Sequence, residues 1–381
     1  MLTLAAITLC AWLYLFFGRG FFWRVDLARQ DGPEPGPALV TVVVPARNEA
    51  AVVARSVTSL LNQQGKQSVH IFLIDDNSSD NTAEVARSTA ESIGKPDCLT
   101  VISGKPLPAG WSGKLWAIQQ GVDCATRLNP DFLLLTDADI EHGPLSVATL
   151  CRIANSGSFD LVSFMVKLYC RSLAERALIP AFVYFFFQLY PPRWIRSPKH
   201  KIAAAAGGSI LIRPEALEHA GGIEAIHTEI IDDCAMARAV KRSGGKVWLG
   251  LSDETRSIRP YGSFAEIGRM ISRNAFNQLQ HSTVLLFGAL LGMSVVYLLP
   301  PAVSLLSRNL PAELVAGFAW LLMTVSYLPL LRFYRLMPAW SLALPLIAIF
   351  YMGASFHSAF RYWIGQGGEW KGRVQDPAQQ R

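Results

Sequence analysis

The stretch Phe132-Leu133-Leu134-Leu135-Thr136-Asp137-Ala138-Asp139-Ile140-Glu141-His142 constrains this chain more than any other. Four consecutive apolar residues form a run of the kind buried on both faces of a sheet. The run stops at two carboxylates separated by one small residue. Burying an unpaired carboxylate is costly, so a buried strand has no structural use for the pair. At the carboxyl end of a strand in an open α/β sheet, the same pair faces the crevice where ligands bind. Two carboxylates there can hold a divalent metal, which commonly completes its shell with water and substrate phosphates. The plain alternative is a strand followed by a polar turn carrying two solvated acids.

Composition narrows the setting. Hydrophobic residues make up 51% of the 381, and the mean hydropathy of +0.27 is high for a wholly soluble protein. The net charge of +6, from 35 Lys+Arg against 29 Asp+Glu, is a modest excess. No Lys/Arg tract of the kind that marks nucleic-acid binding occurs, so nucleic acid is excluded as a partner. A basic balance with apolar spans suits a membrane face rich in anionic lipid. The six cysteines, Cys10, Cys98, Cys124, Cys151, Cys170 and Cys234, show neither C-x-x-C nor zinc spacing. They read as reduced thiols of a cytosol-facing protein.

Five regions follow from the pattern. Residues 1–23 read as an N-terminal membrane anchor, because residues 2–17 are apolar and uncharged, at the short edge of a span. A secretory signal would carry basic residues before the run; a cleaved signal peptide is the alternative reading. The basic residues come after it, at Arg19, Arg24 and Arg29, which puts the N-terminus outside and the next domain in the cytoplasm. Residues 24–38 are a linker, with Gly and Pro crowded into 31–37. Residues 39–282 read as the folded domain that carries the acid pair. Its strands are predicted at 39–45, 69–74, 99–102 and 132–136. Helices are predicted around Val53, Val57, Leu60 and Leu61, from Asn81 with Glu84 as a capping signature, and over 115–125. Alternating strands and helices of this kind predict a parallel α/β sheet. Asn48-Glu49, Asp75-Asp76 and Asp137/Asp139 should then line one edge of it.

The later part of the domain is less regular. A strand is predicted at 160–166. The apolar segment 177–190 and the basic stretch 191–201 read as an interfacial element lying on the membrane, or else as a core helix. Strands at 209–213 and 246–249 flank a helix opened by Pro214 and another that starts at Asp232-Asp233 and ends near Gly244-Gly245. Residues 283–361 hold three apolar runs, 284–307, 314–331 and 336–360, each long enough to span. Three full spans from the cytoplasm would put the tail, 362–381, outside, yet Arg361, Lys371, Arg373 and Arg381 favour inside. Pro300-Pro301 leaves room for a broken or re-entrant first run. The expectation is a multi-pass protein of the cytoplasmic membrane with its soluble domain facing the cytoplasm.

Several motifs in order carry a family resemblance. Val42-Val-Val-Pro-Ala-Arg-Asn-Glu49, Leu73-Ile-Asp-Asp-Asn-Ser-Ser-Asp-Asn-Thr82, Gly113-Lys114, Thr136-Asp-Ala-Asp139 and Asp232-Asp233 resemble those of family 2 glycosyltransferases over residues 39–280. Residues 106–114 (Pro-Leu-Pro-Ala-Gly-Trp-Ser-Gly-Lys), 207–213 and 365–373 look most like the hopene-associated branch of that family. The resemblance implies an α/β fold: a mostly parallel nucleotide-diphospho-sugar-binding sheet of the GT-A type, here with transmembrane helices. It implies a divalent metal, Mg2+ or Mn2+, on Asp139 with help from Asp137. Asp75 or Asp76 matches the base- and ribose-reading acid, and Pro45, Glu49, Asp137 and Lys114 also fall among the substrate-binding positions. Asp233 matches the general base that takes the acceptor's proton in a one-step inverting displacement, with Asp232 as its orienting partner.

The implied partners are a nucleotide-diphospho-sugar donor, a UDP-sugar by preference, a lipid acceptor and the membrane. The chain departs from processive family members, which carry Gln-x-x-Arg-Trp; here the comparable stretch is Met270-Ile-Ser-Arg273-Asn274. Arg273 is left as a candidate diphosphate contact. The expected activity is single transfer of a sugar to a lipid. The rivals are a processive polysaccharide synthase and a non-catalytic scaffold that binds nucleotide-sugar. His142, His227 and His281 are unclustered and read as structural.

Overall fold

The structure, a computed structural model, describes residues 1–28 and 32–365, and the backbone of 369–370 and 373–374. Arg29 and Asp31 of the N-terminal flank, Lys371 and Arg381 of the tail, and most of the 365–373 motif lie outside the described residues. In chain order the elements are α1 (Leu2–Leu13), β1 (Ala38–Ala46), α2 (Val53–Leu61), β2 (Gln67–Asp75), α3 (Thr82–Ser92), β3 (Leu99–Ser103), α4 (Gly113–Ala125) and β4 (Phe132–Leu135). There follow β5 (Ile140–Glu141), α5 (Ser146–Ser156), β6 (Leu161–Lys167), α6 (Leu173–Leu189), α7 (Pro192–Arg196), β7 (Ile210–Ile212), α8 (Pro214–His219), α9 (Asp232–Arg242) and β8 (Val247–Ser257). The last are α10 (Phe264–Gln278), α11 (Thr283–Met293), α12 (Leu299–Leu306), α13 (Leu310–Phe333) and α14 (Leu344–Trp363). They fall into two units.

The first unit contains Asp26–Tyr169 and Trp194–Arg259 and is built on an eight-stranded sheet, in the order β3-β2-β1-β4-β7-β6-β8-β5. β1 pairs in parallel with β2 and β4, and β2 with β3. The alternating strand and helix pattern dictates this arrangement, because each parallel return needs a crossover helix. One face carries Val42, Val44, Ile71, Leu73 and Leu134 and packs on Val57 and Leu60 of α2, Ala86 of α3 and Leu150 of α5. α4 packs on β1 and β2, and it approaches closely because position 121 is glycine: a Cβ there would stand 2.4 Å from Val43 Cγ1. Three details differ from the sequence expectation. Asn81 stands at the N-cap of α3 as expected but makes no side-chain cap bond; the residue before it, Asp80, accepts the Thr82 N–H on Oδ1 at 3.0 Å. The strand predicted at 209–213, β7, runs antiparallel to β4 and β6. β8 runs on to Ser257, eight residues past the predicted end at Leu249, because its far half pairs with the two-residue β5.

The second unit contains Met1–Val25, Cys170–Arg193 and residues 260–365. Three of its helices, Thr283–Leu306, Leu310–Phe333 and Pro338–Trp363, are long and apolar enough to cross a membrane, and Leu2–Gly18 is a shorter apolar helix. The 284–307 run does not break at its prolines. A wider turn at Ser294–Leu298 precedes Pro300-Pro301, which is how a helix absorbs missing N–H donors. The interfacial reading of 177–190 gives way to the core-helix alternative. α6 starts at a Ser172/Glu175 capping box and buries Leu178, Ile179, Val183, Tyr184 and Phe187. Its Tyr184 hydroxyl lies 2.6 Å from Ser326 Oγ of α13. An apolar helix packed among apolar helices has the same composition as one lying on a bilayer, so sequence alone could not separate the two.

Candidate active site

Parallel strands deliver their carboxyl ends to one edge, and β1, β2 and β4 bring Arg47-Asn48-Glu49, Asp75-Asp76 and Asp137-Ala138-Asp139 there. The first two loops are stitched together. Asn48, at a φ of 54°, donates its N–H to Ser78 Oγ at 3.0 Å and accepts from Ser79 N–H at 2.8 Å. Glu49 N–H donates to Thr82 Oγ1 at 2.8 Å, and Ala50 N–H to Asp80 at 3.0 Å. Asp75 accepts the Ser78 N–H at 3.2 Å. Asp76 is buried beside Arg47, whose guanidinium also donates to the Asp76 carbonyl. Pro45 is buried in β1, two residues beyond the last β1–β4 pair, Val43 with Leu135.

Lys114 is the centre of the deeper half. α4 begins at Gly113, capped by Ser112 Oγ accepting from Leu115 N–H at 3.3 Å, so Lys114 sits in its first turn. Its Nζ lies 2.9 Å from Asp137 Oδ1 and 3.2 Å from Asp232 Oδ2. Burial alone would favour the neutral amine. Asp137 and Asp232 outweigh it and hold the ammonium charged well above the ordinary lysine range. Burial, then Asp139, raises the Asp137 carboxyl against the pull of Lys114. Asp233 accepts the Gly207 N–H at 2.8 Å on Oδ2 and the Cys234 N–H at 2.7 Å on Oδ1. Burial and the neighbouring Asp232 push its carboxyl up to about 6.

Gly207 marks where these groups converge. A Cβ built on it would lie 3.4 Å from Lys114 Nζ, 3.5 Å from Asp233 Oδ2 and 3.8 Å from Asp137 Oδ2. The three charged atoms therefore surround one point that carries only a glycine hydrogen. Behind it, Thr136 Oγ1 donates to the Gly208 carbonyl at 2.7 Å and lies 3.0 Å from His142 Nε2. With the hydroxyl proton given to Gly208, Thr136 accepts from His142 Nε2–H. Burial pushes the His142 imidazole down to about 4, in keeping with a structural, neutral ring. His227 is also structural: its carbonyl accepts the Ser112 N–H at 3.1 Å and its ring packs on Trp111, 5.2 Å between centroids.

The other half holds a residue that sequence reasoning missed. Ile140 and Glu141 pair with Ser257 and Arg256, and Ile258 N–H donates to the Asp139 carbonyl at 3.0 Å. That ladder brings Arg259 alongside Asp139. Arg259 Nε donates to Asp139 Oδ2 at 2.7 Å, and its terminal nitrogen to Glu49 Oε2. These two carboxylates hold the guanidinium charged above its usual range, against the opposing effect of burial. No sequence motif marks Arg259; the alternation of buried Thr255 and Ser257 with exposed Arg256 is visible only in the structure. Arg273, the sequence candidate for a diphosphate contact, lies on α10 in the unit with the apolar helices.

The chemistry of the acids decides what kind of metal could sit here. Among the described residues, no group of three or more His, Cys, Asp or Glu side chains is arranged to hold one. Asp137 and Asp139 supply the hard oxygens that Mg2+ and Mn2+ prefer, but not a full shell. The pair fits an ion that takes its other ligands from a substrate's phosphates and water, and does not fit a caged, resident metal.

Comparisons with known proteins agree with this geometry. Residues 41–221 match the family model described as Glycosyl transferase family 2. A probable glycosyltransferase, YdaM, of Bacillus subtilis (strain 168) is 28% identical over 187 residues, 48% of this chain and 42% of that protein. Undecaprenyl-phosphate 4-deoxy-4-formamido-L-arabinose transferase of Serratia proteamaculans is 31% identical over 127 residues, 32% of this chain and 35% of that one. The 4,4'-diaponeurosporenoate glycosyltransferase of Staphylococcus haemolyticus is 28% identical over 128 residues, 34% and 30%. The chain thus spans less than half the length of these curated relatives. Among solved structures, the mannosyltransferase PcManGT from Pyrobaculum calidifontis, in complex with GDP-Man and Mn2+, is similar at a TM-score of 0.57 and 17% identity, covering 94% of this chain and 99% of that one. At that identity the likeness speaks for the fold, which is the GT-A type expected. Motifs, sheet and family model point the same way for residues 41–221, which are similar to a family 2 glycosyltransferase domain.

Proposed function

We propose that the chain is a membrane-bound, inverting glycosyltransferase that moves one sugar from a nucleotide-diphospho-sugar to the hydroxyl of a lipid acceptor at the cytoplasmic face. One observation carries the reading: Lys114, Asp137 and Asp233, whose carboxyl is raised, come together around Gly207. A carboxyl at about 6 is ionised at neutral pH yet basic enough to accept a proton in flight. In this reading Asp233 takes the proton of the acceptor hydroxyl as its oxygen attacks the anomeric carbon. The bond from that carbon to the diphosphate breaks in the same step, and the nucleoside diphosphate leaves from the opposite face. Attack from behind inverts the anomeric centre, with no sugar bound to the enzyme. Asp232, held by Lys114, keeps a negative charge beside Asp233 and so keeps it basic. A divalent ion, bound by Asp139 and Asp137, supplies neutralisation of the leaving diphosphate.

A lipid acceptor is supported by the three helices long and apolar enough to cross a membrane and by relatives named for undecaprenyl phosphate and diaponeurosporenoate. The resemblance to the hopene-associated branch makes a hopanoid the first acceptor to try, and UDP-sugars the first donors. The test is a panel of UDP- and GDP-sugars incubated with membranes containing the full chain, with and without a chelator, and extracted lipids read by mass spectrometry. A glycolipid that forms only with metal is the expected product. Donor binding with neither transfer nor hydrolysis would leave a scaffold instead, and an aqueous polymer would point to a processive synthase.

A further inference from the structure

Arg259 spends its charge on two carboxylates that lie far apart in the sequence. It donates from Nε to Asp139 Oδ2 at 2.7 Å and from its terminal nitrogen to Glu49. This is not a loose surface pairing. The side chain is 35% exposed, against 10% for Glu49 and 19% for Asp139. The preceding residue, Ile258, is bonded through its N–H to the Asp139 carbonyl, which fixes where the guanidinium starts.

The same Oδ2 cannot give its lone pairs fully to a guanidinium and to a divalent ion. Asp139 and Asp137 are the two acids placed to offer hard oxygens to such an ion. Around the site, five carboxylates (Glu49, Asp137, Asp139, Asp232 and Asp233) face two cations, Lys114 and Arg259, leaving three negative charges when all are ionised. A metal arriving alone must compete with Arg259 for Asp139 and finds no third protein ligand among the described residues. A diphosphate arriving alone meets a net negative site. Arriving together, the ion takes Asp139 and the released Nε–H of Arg259 has a new anion to meet, while its other end keeps Glu49.

We propose that Arg259 is an internal counter-ion for Asp139 that makes metal binding depend on a nucleoside diphosphate. The inference rests on the metal-dependent, nucleotide-sugar reading above and adds a positioning residue and an order to it. Couplings of this kind are commonly about 5–150-fold, and linkage requires the effect to be mutual.

The experiment is a Mn2+ titration of the full chain in detergent, followed by electron paramagnetic resonance, without and with saturating UDP or GDP. Wild type should bind Mn2+ at least about tenfold tighter with a nucleoside diphosphate than without, and Mn2+ should strengthen nucleotide binding by the same factor. Arg259→Met should bind Mn2+ alone several-fold tighter than wild type and lose most of the coupling. Arg259→Lys, which keeps a charge, should restore part of it. Thermal unfolding checks that each variant is folded, and Asp139→Asn should remove the Mn2+ site in every background. If Arg259→Met is folded and binds Mn2+ alone no tighter than wild type, the counter-ion role is wrong while the functional reading stands. If wild type binds neither Mn2+ nor a nucleoside diphosphate, the functional reading and this inference both fall.

Discussion

Replacing Asp233 by Asn separates chemistry from architecture in a way the structure makes quantitative. The amide oxygen of Asn can keep one of the two backbone N–H bonds, from Gly207 or Cys234, but its amino group cannot accept the other. Losing one partially buried bond costs about 1–2 kcal/mol. Against that, the native carboxyl is raised from 3.8 to about 6. An acid whose pKa is higher in the folded state favours folding fully below its unfolded pKa and loses that contribution as pH rises through the folded value. A rise of that size is equivalent to at most about 3 kcal/mol, so above pH 6 the ionised Asp233 is a net burden on the fold. Asn removes the burden.

Asp233→Asn should therefore be at least as stable as wild type at about pH 7.5 and less stable at about pH 4, on either side of the raised carboxyl. Donor binding should be retained. Turnover should fall by about two to four orders of magnitude, the usual contribution of a positioned base. Wild-type turnover should climb with pH through about 6, and that limb should be missing from the residual activity of the variant. Scanning fluorimetry across pH, nucleotide titration and lipid glycosylation measure these. Near-normal turnover in a folded variant would reduce Asp233 to a helix-start acid, and an unchanged pH limb would assign it to another group.

Three other outcomes follow from single positions. Lys114→Met leaves Asp137 and Asp232 without their shared cation; chemical denaturation should show a loss of about 2–4 kcal/mol, below the full buried-pair range because Asp137 is 36% exposed, and the pH limb of turnover should move upward. His142, held near 4 by burial, favours folding above 6.5 and loses that as pH falls toward 4, up to about 3 kcal/mol; His142→Gln should flatten the decline of the unfolding midpoint over that window. Gly121→Ala should cost about 1–3 kcal/mol by denaturation, since the new Cβ would meet Val43 at 2.4 Å and Ile74 at 3.2 Å.

What the sequence made legible is what is local. β1 and β4 announce themselves because both faces are covered and nearly every position is apolar, and β2 does so through its apolar run from Ile71 to Ile74. Their polar ends fall on one edge because parallel strands share a direction. The acids of α9 were visible because they stand at a helix start. What stayed hidden depends on pairs distant in the chain. β5 has two residues and exists only because β8 offers it an edge. Arg259 becomes a site residue only through that pairing, 120 positions from Asp139. Arg273 was the better sequence candidate, since it sits in a motif-like context; Arg259 sits in none.

Lys114 shows the same limit in charge rather than topology. From sequence, a lysine after a glycine at a helix start suggests a point charge for the donor's phosphates. In the structure its ammonium is already shared between Asp137 and Asp232, and Arg259 is likewise shared between Asp139 and Glu49. Both cations thus neutralise acids of the protein itself. With acids in excess, neither can be released without exposing like charges to one another, at a cost that rises as water is excluded. A donor diphosphate therefore gains a protein cation only by bringing positive charge of its own. On the proposed reading, the divalent ion and the diphosphate form a single ligand for this site, and the acid-rich composition of the strand ends selects for the pair over either part.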